Sequence, residues 1–142
     1  MVTPQFSHTI TKEFKTIWDK IFSNTIPVHK DTYTIYLCVL LNNAPISCCE
    51  IIEIDPENYL IDSIGVLKEI RHQQIAQYTL RFAETKIREI GGFNSLVRIS
   101  PDYESHYKKL SYKEHLGGEI LMDNNTPKIE MKKVLRVKKS RK

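Results

Sequence analysis

Glycine is scarce in this chain: there are five in 142 residues, and none falls between positions 66 and 90. A collagen-like repeat and a glycine-rich low-complexity segment are excluded. Cysteine is scarce as well. Cys38, Cys48 and Cys49 make an odd count with no Cys-x-x-Cys spacing, which argues against a disulfide framework and a cysteine-built metal site. The three read instead as reduced, buried small hydrophobes. No apolar run approaches the roughly 18–20 residues needed to span a bilayer. The opening MVTPQFSHTITKEF also lacks the basic-then-apolar layout of a signal peptide. The expectation is a chain with no membrane association and a cytoplasmic location. No internal repeat and no interior linker are visible.

What is present is ordinary for a folded domain: 41% hydrophobic and 27% charged residues, at a length typical of one domain. The net charge of +4 is unevenly placed. Residues 128–142 hold eight basic side chains against one acid, Glu130, whereas the other 127 residues carry 13 basic and 16 acidic ones. A slightly acidic body, residues 1–135, is expected to end in a basic, disordered tail, residues 136–142. That tail either solubilises the protein or makes salt-sensitive, nonspecific contacts with nucleic acid or another acidic surface.

Periodicity supplies the elements. Ile10, Phe14, Ile17 and Ile21 recur at helical spacing, so a helix is predicted over 10–22, capped by Thr9 or Thr11. Residues 33–41 and 46–54 read as two strands of a hairpin around Asn42-Asn43, and 59–66 as a third strand. Ala76, Leu80, Ala83, Ile87 and Ile90 mark a long helix over 74–90, stopped by Gly91-Gly92. A strand over 95–100, a short helix over 102–110 starting at Ser100-Pro101, and two strands around Asp123-Asn124-Asn125 complete the chain. The predicted class is a mixed α/β layer fold: a largely antiparallel, twisted sheet with helices on both faces.

Two stretches could carry chemistry. The third strand turns directly into the long helix through Val66 to Ala76, which gathers unpaired backbone N–H groups and a helix dipole beside Arg71. Such a turn is a ready phosphate cradle, though an ordinary strand–helix connection has the same sequence. The second is His106-Tyr107-Lys108-Lys109-Leu110-Ser111-Tyr112, where Tyr107 could donate a proton or merely edge a helix.

Taken together these stretches resemble the GNAT superfamily of acyl-CoA N-acyltransferases. Its signature runs V-x-P-x-x-R/Q-G-x-G-x-G/A, then N-x-x-A-x-x-F-Y-x-K-x-G-F, then M-x-K-x-L. Val66, Arg71 and Ala76 stand in the register of the first. Tyr107, Lys109, Leu110 and Tyr112 match the second, and Met131-Lys132-Lys133-Val134-Leu135 the third. The departures are His72 and Gln74 at loop glycines, Lys68 at the proline, Ser100 at the asparagine and Ser111 at the later glycine.

The resemblance implies a GNAT-like fold and acetyl-CoA as acyl donor, without a metal. Pantetheine would lie along the strand edge at Ile64, Gly65 and Val66, in a gap opened from strand 95–100 and aided by a bulge. Ser100 would lie near the cofactor. Backbone N–H groups of Arg71, His72, Gln73, Gln74, Ile75 and Ala76 would hold the pyrophosphate, and the Val66 N–H the oxyanion. Tyr107 would protonate the leaving thiolate while a substrate amine attacks directly. The base is open: Asp62, four residues before Val66 and so expected on the same face, leads Glu50 and Glu53. A glutamine at position 74 is expected to force a different loop conformation or a looser cofactor fit. The activity expected is N-acetylation of a primary amine, and the alternative is a weak or inactive acyl-CoA-binding or interaction module. Homodimers are common in the family.

Overall fold

The computed structural model describes residues 1–136 except 28, 30 and 124. Eight strands form one sheet: β1 (Val2–Ser7), β2 (Thr34–Leu41), β3 (Ala44–Asp55), β4 (Asn58–Val66), β5 (Asn94–Ile99), β6 (Lys113–Glu114), β7 (Ile120–Asp123) and β8 (Thr126–Val134). Their order is β1-β2-β3-β4-β5-β8-β6, with β7 also on β8. Among the described residues only β4 and β5 run parallel. The described residues also hold three α-helices, α1 (Lys12–Ile21), α2 (Ile75–Glu89) and α3 (Glu104–Lys109). The mixed, mostly antiparallel class expected from periodicity is the observed one.

Local chemistry explains the ends of these elements. Thr11, not Thr9, caps α1, its Oγ1 accepting from the Phe14 N–H at 3.1 Å. Asn42 and Asn43 both take positive φ, 50° and 71°, and close β2 onto β3 in two residues. Gly91, at φ 99°, ends α2, and the Gly92 N–H returns to the Ile87 carbonyl at 2.8 Å. β1 was not legible in the sequence. Pro4 interrupts any strand pattern there, and it is tolerated because β1 is the edge of the sheet, paired only to β2.

Alternation along the strands divides the core between two layers. Cys38 and Cys48 face α1 and pack with Phe14, Ile17 and Trp18. Their neighbours Leu37, Val39 and Cys49 face α2, where Leu80, Ala83 and Ile87 cover them. Adjacent Cys48 and Cys49 therefore serve opposite layers. All three thiols are free and buried, and burial pushes those of Cys38 and Cys48 up to about 12. They act as the small hydrophobes expected.

One break in the sheet positions the rest. β4 pairs with β5 only from Asn58↔Asn94 to Ile61↔Val97. Beyond that point β4 continues on β3 and β5 continues on β8. A V-shaped gap opens between them, with Asp62 the first β4 residue past its apex.

Candidate active site

The β4 side of the gap is shaped by a bulge. Glu50 pairs with Asp62 and Cys48 with Gly65, so Ser63 and Ile64 together oppose Cys49, and Ser63 takes φ 56°. The extra residue reverses the alternation. Ile61 and Val66 both lie in the α2-side core, whereas Asp62 sits beside Glu50 on the α1 side. The shared face expected for Asp62 and Val66 therefore does not occur; the bulge lies between them.

The same register fixes where β4 points its backbone. The Leu67 N–H donates to the Ile46 carbonyl at 3.0 Å. Val66, one residue out of phase, turns its N–H and carbonyl away from β3 and toward the gap, as does Ile64. Gly65, between them, meets α1: a Cβ there would lie 2.8 Å from Ile21 Cγ2 and 2.9 Å from the Phe22 ring.

After Val66 the chain makes a 3-10 segment, Lys68–Gln73, and enters α2 through Gln74 at φ 59°, ψ 24°. That is the left-handed region where glycine is favoured. Gln74 thus takes, with a side chain, a conformation that glycine adopts at no steric cost. Among the described residues no side chain caps α2 and no acid stands in its first turn, so none of them gives the Ile75 and Ala76 N–H groups and the positive dipole end a counter-charge there. Ile75 itself is buried in the core and offers only backbone. Arg71 bends back, its Nε donating to the Val66 carbonyl at 3.3 Å, which ties the turn to the strand end. Ser100 caps the turn after β5 by accepting from the Asp102 N–H at 3.4 Å.

Tyr107 lies on α3, half-buried against the α2-side core that contains Val66. It meets Tyr112 edge-on with ring centroids 5.6 Å apart. Among the described residues its hydroxyl makes no hydrogen bond, and burial raises its pKa, so it holds its proton at neutral pH. The neighbouring Tyr112 is committed elsewhere, bonding Glu84 at 2.8 Å and Ser95 at 2.6 Å.

Of the acids considered as bases, Glu53 accepts from the Tyr59 hydroxyl at 3.0 Å and faces a structural task. Asp62 borders the apex of the gap. Glu50 is wholly buried beside it, and its Oε2 meets His29 Nε2 at 3.0 Å. His29 escaped the sequence reading because nothing local links it to a strand residue 21 positions away. Glu50 carried a usable signal, an acid inside the apolar run Cys48-Cys49-Glu50-Ile51-Ile52.

The model of the acetyltransferase (GNAT) family matches residues 3–110. The chain belongs to the GNAT acetyltransferase family. Solved structures with the family's fold cover nearly the whole chain. A candidate N-acetyltransferase from Lactobacillus plantarum superposes with a TM-score of 0.78 at 16% identity, over 95% of this chain and 99% of that one. An acyl-CoA N-acyltransferase from Pseudomonas aeruginosa gives 0.74 at 11% identity, over 94% and 100%. A GNAT acetyltransferase from Elizabethkingia anophelis, solved with acetyl-CoA bound, gives 0.63 at 14% identity, over 94% and 97%. The sequence matches none of the curated proteins with which it was compared.

The residues present fit the family's acyl donor. The strand edge at Ile64 and the Val66 N–H, free of β5, can hydrogen-bond an amide-containing arm, and the N-terminus of α2 beside it suits a diphosphate. A shallow groove of about 210 Å³ between α2 and α3 carries Arg81 and Lys109 beside the Lys133–Glu84 ion pair.

Proposed function

We propose that this GNAT protein transfers the acetyl group of acetyl-CoA to a primary amine by direct attack, with both substrates bound at once. The observation that supports this most is the Val66 N–H turned into the β4–β5 gap beside an uncapped helix N-terminus. Acetyl-CoA supplies an activated thioester. Backbone groups of Ile64 and Val66 would orient its arm, and the N–H groups at the start of α2 would hold the diphosphate. The Val66 N–H would donate to the carbonyl oxygen as negative charge builds on it. Tyr107, kept protonated by burial, would give its proton to the departing thiolate. Most of the acceleration would come from holding two reactants in line.

Acetyl-CoA is expected to raise the melting temperature. Tyr107→Phe should keep that shift while lowering kcat about 100-fold, the lower end of general-acid contributions. Absence of a shift at millimolar acetyl-CoA would remove the reading. Gln74 in glycine's backbone geometry favours a working loop over the alternative of a decayed binding module.

A further inference from the structure

Beyond the last β4–β5 pair, Ile61↔Val97, the next residues on the two strands are Asp62 and Arg98. Both lie on the α1 side, because alternation carries them there from Leu60 and Leu96, which pack with Ile52 on that face. The β5 wall of the gap therefore begins with an arginine. Its side chain is 43% exposed, yet its direction is fixed. Nε donates to Glu130 Oε1 at 2.9 Å. Glu130 is buried, and its other oxygen meets His115 Nδ1 at 2.6 Å. Both oxygens are used, so Glu130 is a strut: His115 holds the carboxylate, and the carboxylate holds the guanidinium. Nη1 and Nη2 of Arg98 have no partner among the described residues, and their N–H groups remain open.

The surroundings favour an anion. On this side of the sheet Leu96 pairs with Lys132 and Lys132 with Lys113, and Lys128 stands two residues before Glu130. Among the described residues Glu130 is the one acid on that face of β5, β8 and β6, and Arg98 balances it. The three lysines leave a positive field beside the gap. Exposed lysines alone make an ordinary solvated surface. An arginine braced by a buried carboxylate singles out one point on it. Open Nη groups in a fixed plane match a planar, two-oxygen anion, a carboxylate.

We propose that Arg98 receives a carboxylate of the acceptor substrate, so that the enzyme selects primary amines that also carry a carboxylate, amino acids among them. This rests on the acetyl-transfer reading above and narrows it to a substrate class. Because Arg98 borders the gap itself, a carboxylate held on it brings the amine of the same small molecule beside the thioester. Glu130 and His115 are positioning residues, acting through the arginine. Plain diamines offer Arg98 nothing to pair with and meet the lysines as like charge.

The test uses the full chain and acetyl-CoA with three matched pairs: L-tyrosine and tyramine, L-lysine and 1,5-diaminopentane, 4-aminobutanoate and propylamine. The members of each pair differ by the carboxylate alone. CoA release gives kcat/KM, compared on the free-base concentration of each amine. In the wild type at least one carboxylate-bearing member should exceed its partner by about 10–100-fold, mostly through KM, the worth of a charge-assisted hydrogen bond. Arg98→Met should remove that preference by lowering the carboxylate-bearing member, with the acetyl-CoA melting shift kept. Arg98→Lys keeps the charge but loses the fork and should retain part of the preference, which keeps the test usable should the methionine variant fail to fold. A merely structural arginine would lower both members of a pair alike; an unchanged ratio in the variants therefore overturns the assignment. So does a wild type without the preference, or one that turns over no panel amine while acetyl-CoA still raises its melting temperature. These outcomes spare acetyl-CoA binding. No acetyl-CoA shift at all overturns the acetyl-transfer reading as well.

Discussion

Gln74 holds a backbone position where a side chain costs about 1–2 kcal/mol, with φ 59° at the mouth of α2. That local cost sets the outcome of replacing it. Gln74→Gly relieves the left-handed strain but gives the unfolded chain more freedom, and the two effects oppose each other at about 1 kcal/mol each. Stability by chemical denaturation should therefore move by less than about 1 kcal/mol. Acetyl-CoA affinity should rise by less than about tenfold, because Gln74 already holds a left-handed φ that a glycine would adopt freely. A gain of a hundredfold or more, read by calorimetry, would mean that the turn binds in some other conformation. The sequence showed which residue departs from the motif, but not which φ it takes. A glutamine in the left-handed region is forced by tertiary packing on either side, with Ile75 buried below and Arg71 tied to the Val66 carbonyl. Asp62 illustrates the same limit from the other direction. Counting by twos from Val66 put it on the wrong face, because one bulge residue, Ser63, cannot be counted from sequence.

At the scale of elements, the long helix, the hairpin and the capped first helix were legible because each carries its own period and its own stop signals. The edge strand β1 was not, since its structure comes from pairing with β2 and not from any pattern of its own. The contact of α1 with β4 was equally silent, and it depends on Gly65. Phe22 is held there by Trp18, their ring centroids 4.3 Å apart, and Trp18 is anchored by Nε1 donating to the Asn24 carbonyl at 2.9 Å. The rings cannot easily retreat, so the 2.8–2.9 Å approaches that a Cβ would make must push α1 off the strand. Gly65→Ala should destabilise by about 1–3 kcal/mol, the usual range for overpacking, as measured by urea unfolding. It should also raise the KM for amine more than that for acetyl-CoA, since α1 and its following loop cover the α1 side of the gap where Glu50 and Asp62 stand. Equal changes in both constants would place the disturbance on the β4 edge instead.

Over the whole molecule, charge and catalyst separate along the chain. The gap, the α2 turn and Tyr107 all lie within the first 110 residues, whereas the basic excess is gathered at the C-terminal end. The first residue of the expected tail, Arg136, makes defined contacts. Arg136 belongs to the body: its Nη2 donates to the Gly91 carbonyl at 2.7 Å and its guanidinium covers the Phe93 ring at 4.4 Å. It thereby staples the end of β8 to the turn that closes α2. Residues 137–142, where most of the expected tail lies, are outside the described residues. Two truncations follow from this. Removing 137–142 deletes four positive charges and, if the expected tail is right, should leave the melting temperature within about 2 °C and kcat/KM within twofold. Retention on a polyanion column at low salt should fall. Removing Arg136 as well should cost about 1 kcal/mol more, the scale of a solvent-facing cation–π contact and its hydrogen bond. If the shorter cut already lowers the melting temperature as much as the longer one, the anchor lies beyond Arg136. If polyanion retention is unchanged by either cut, the acidic-surface role of the tail is lost, and solubility is what its charge serves.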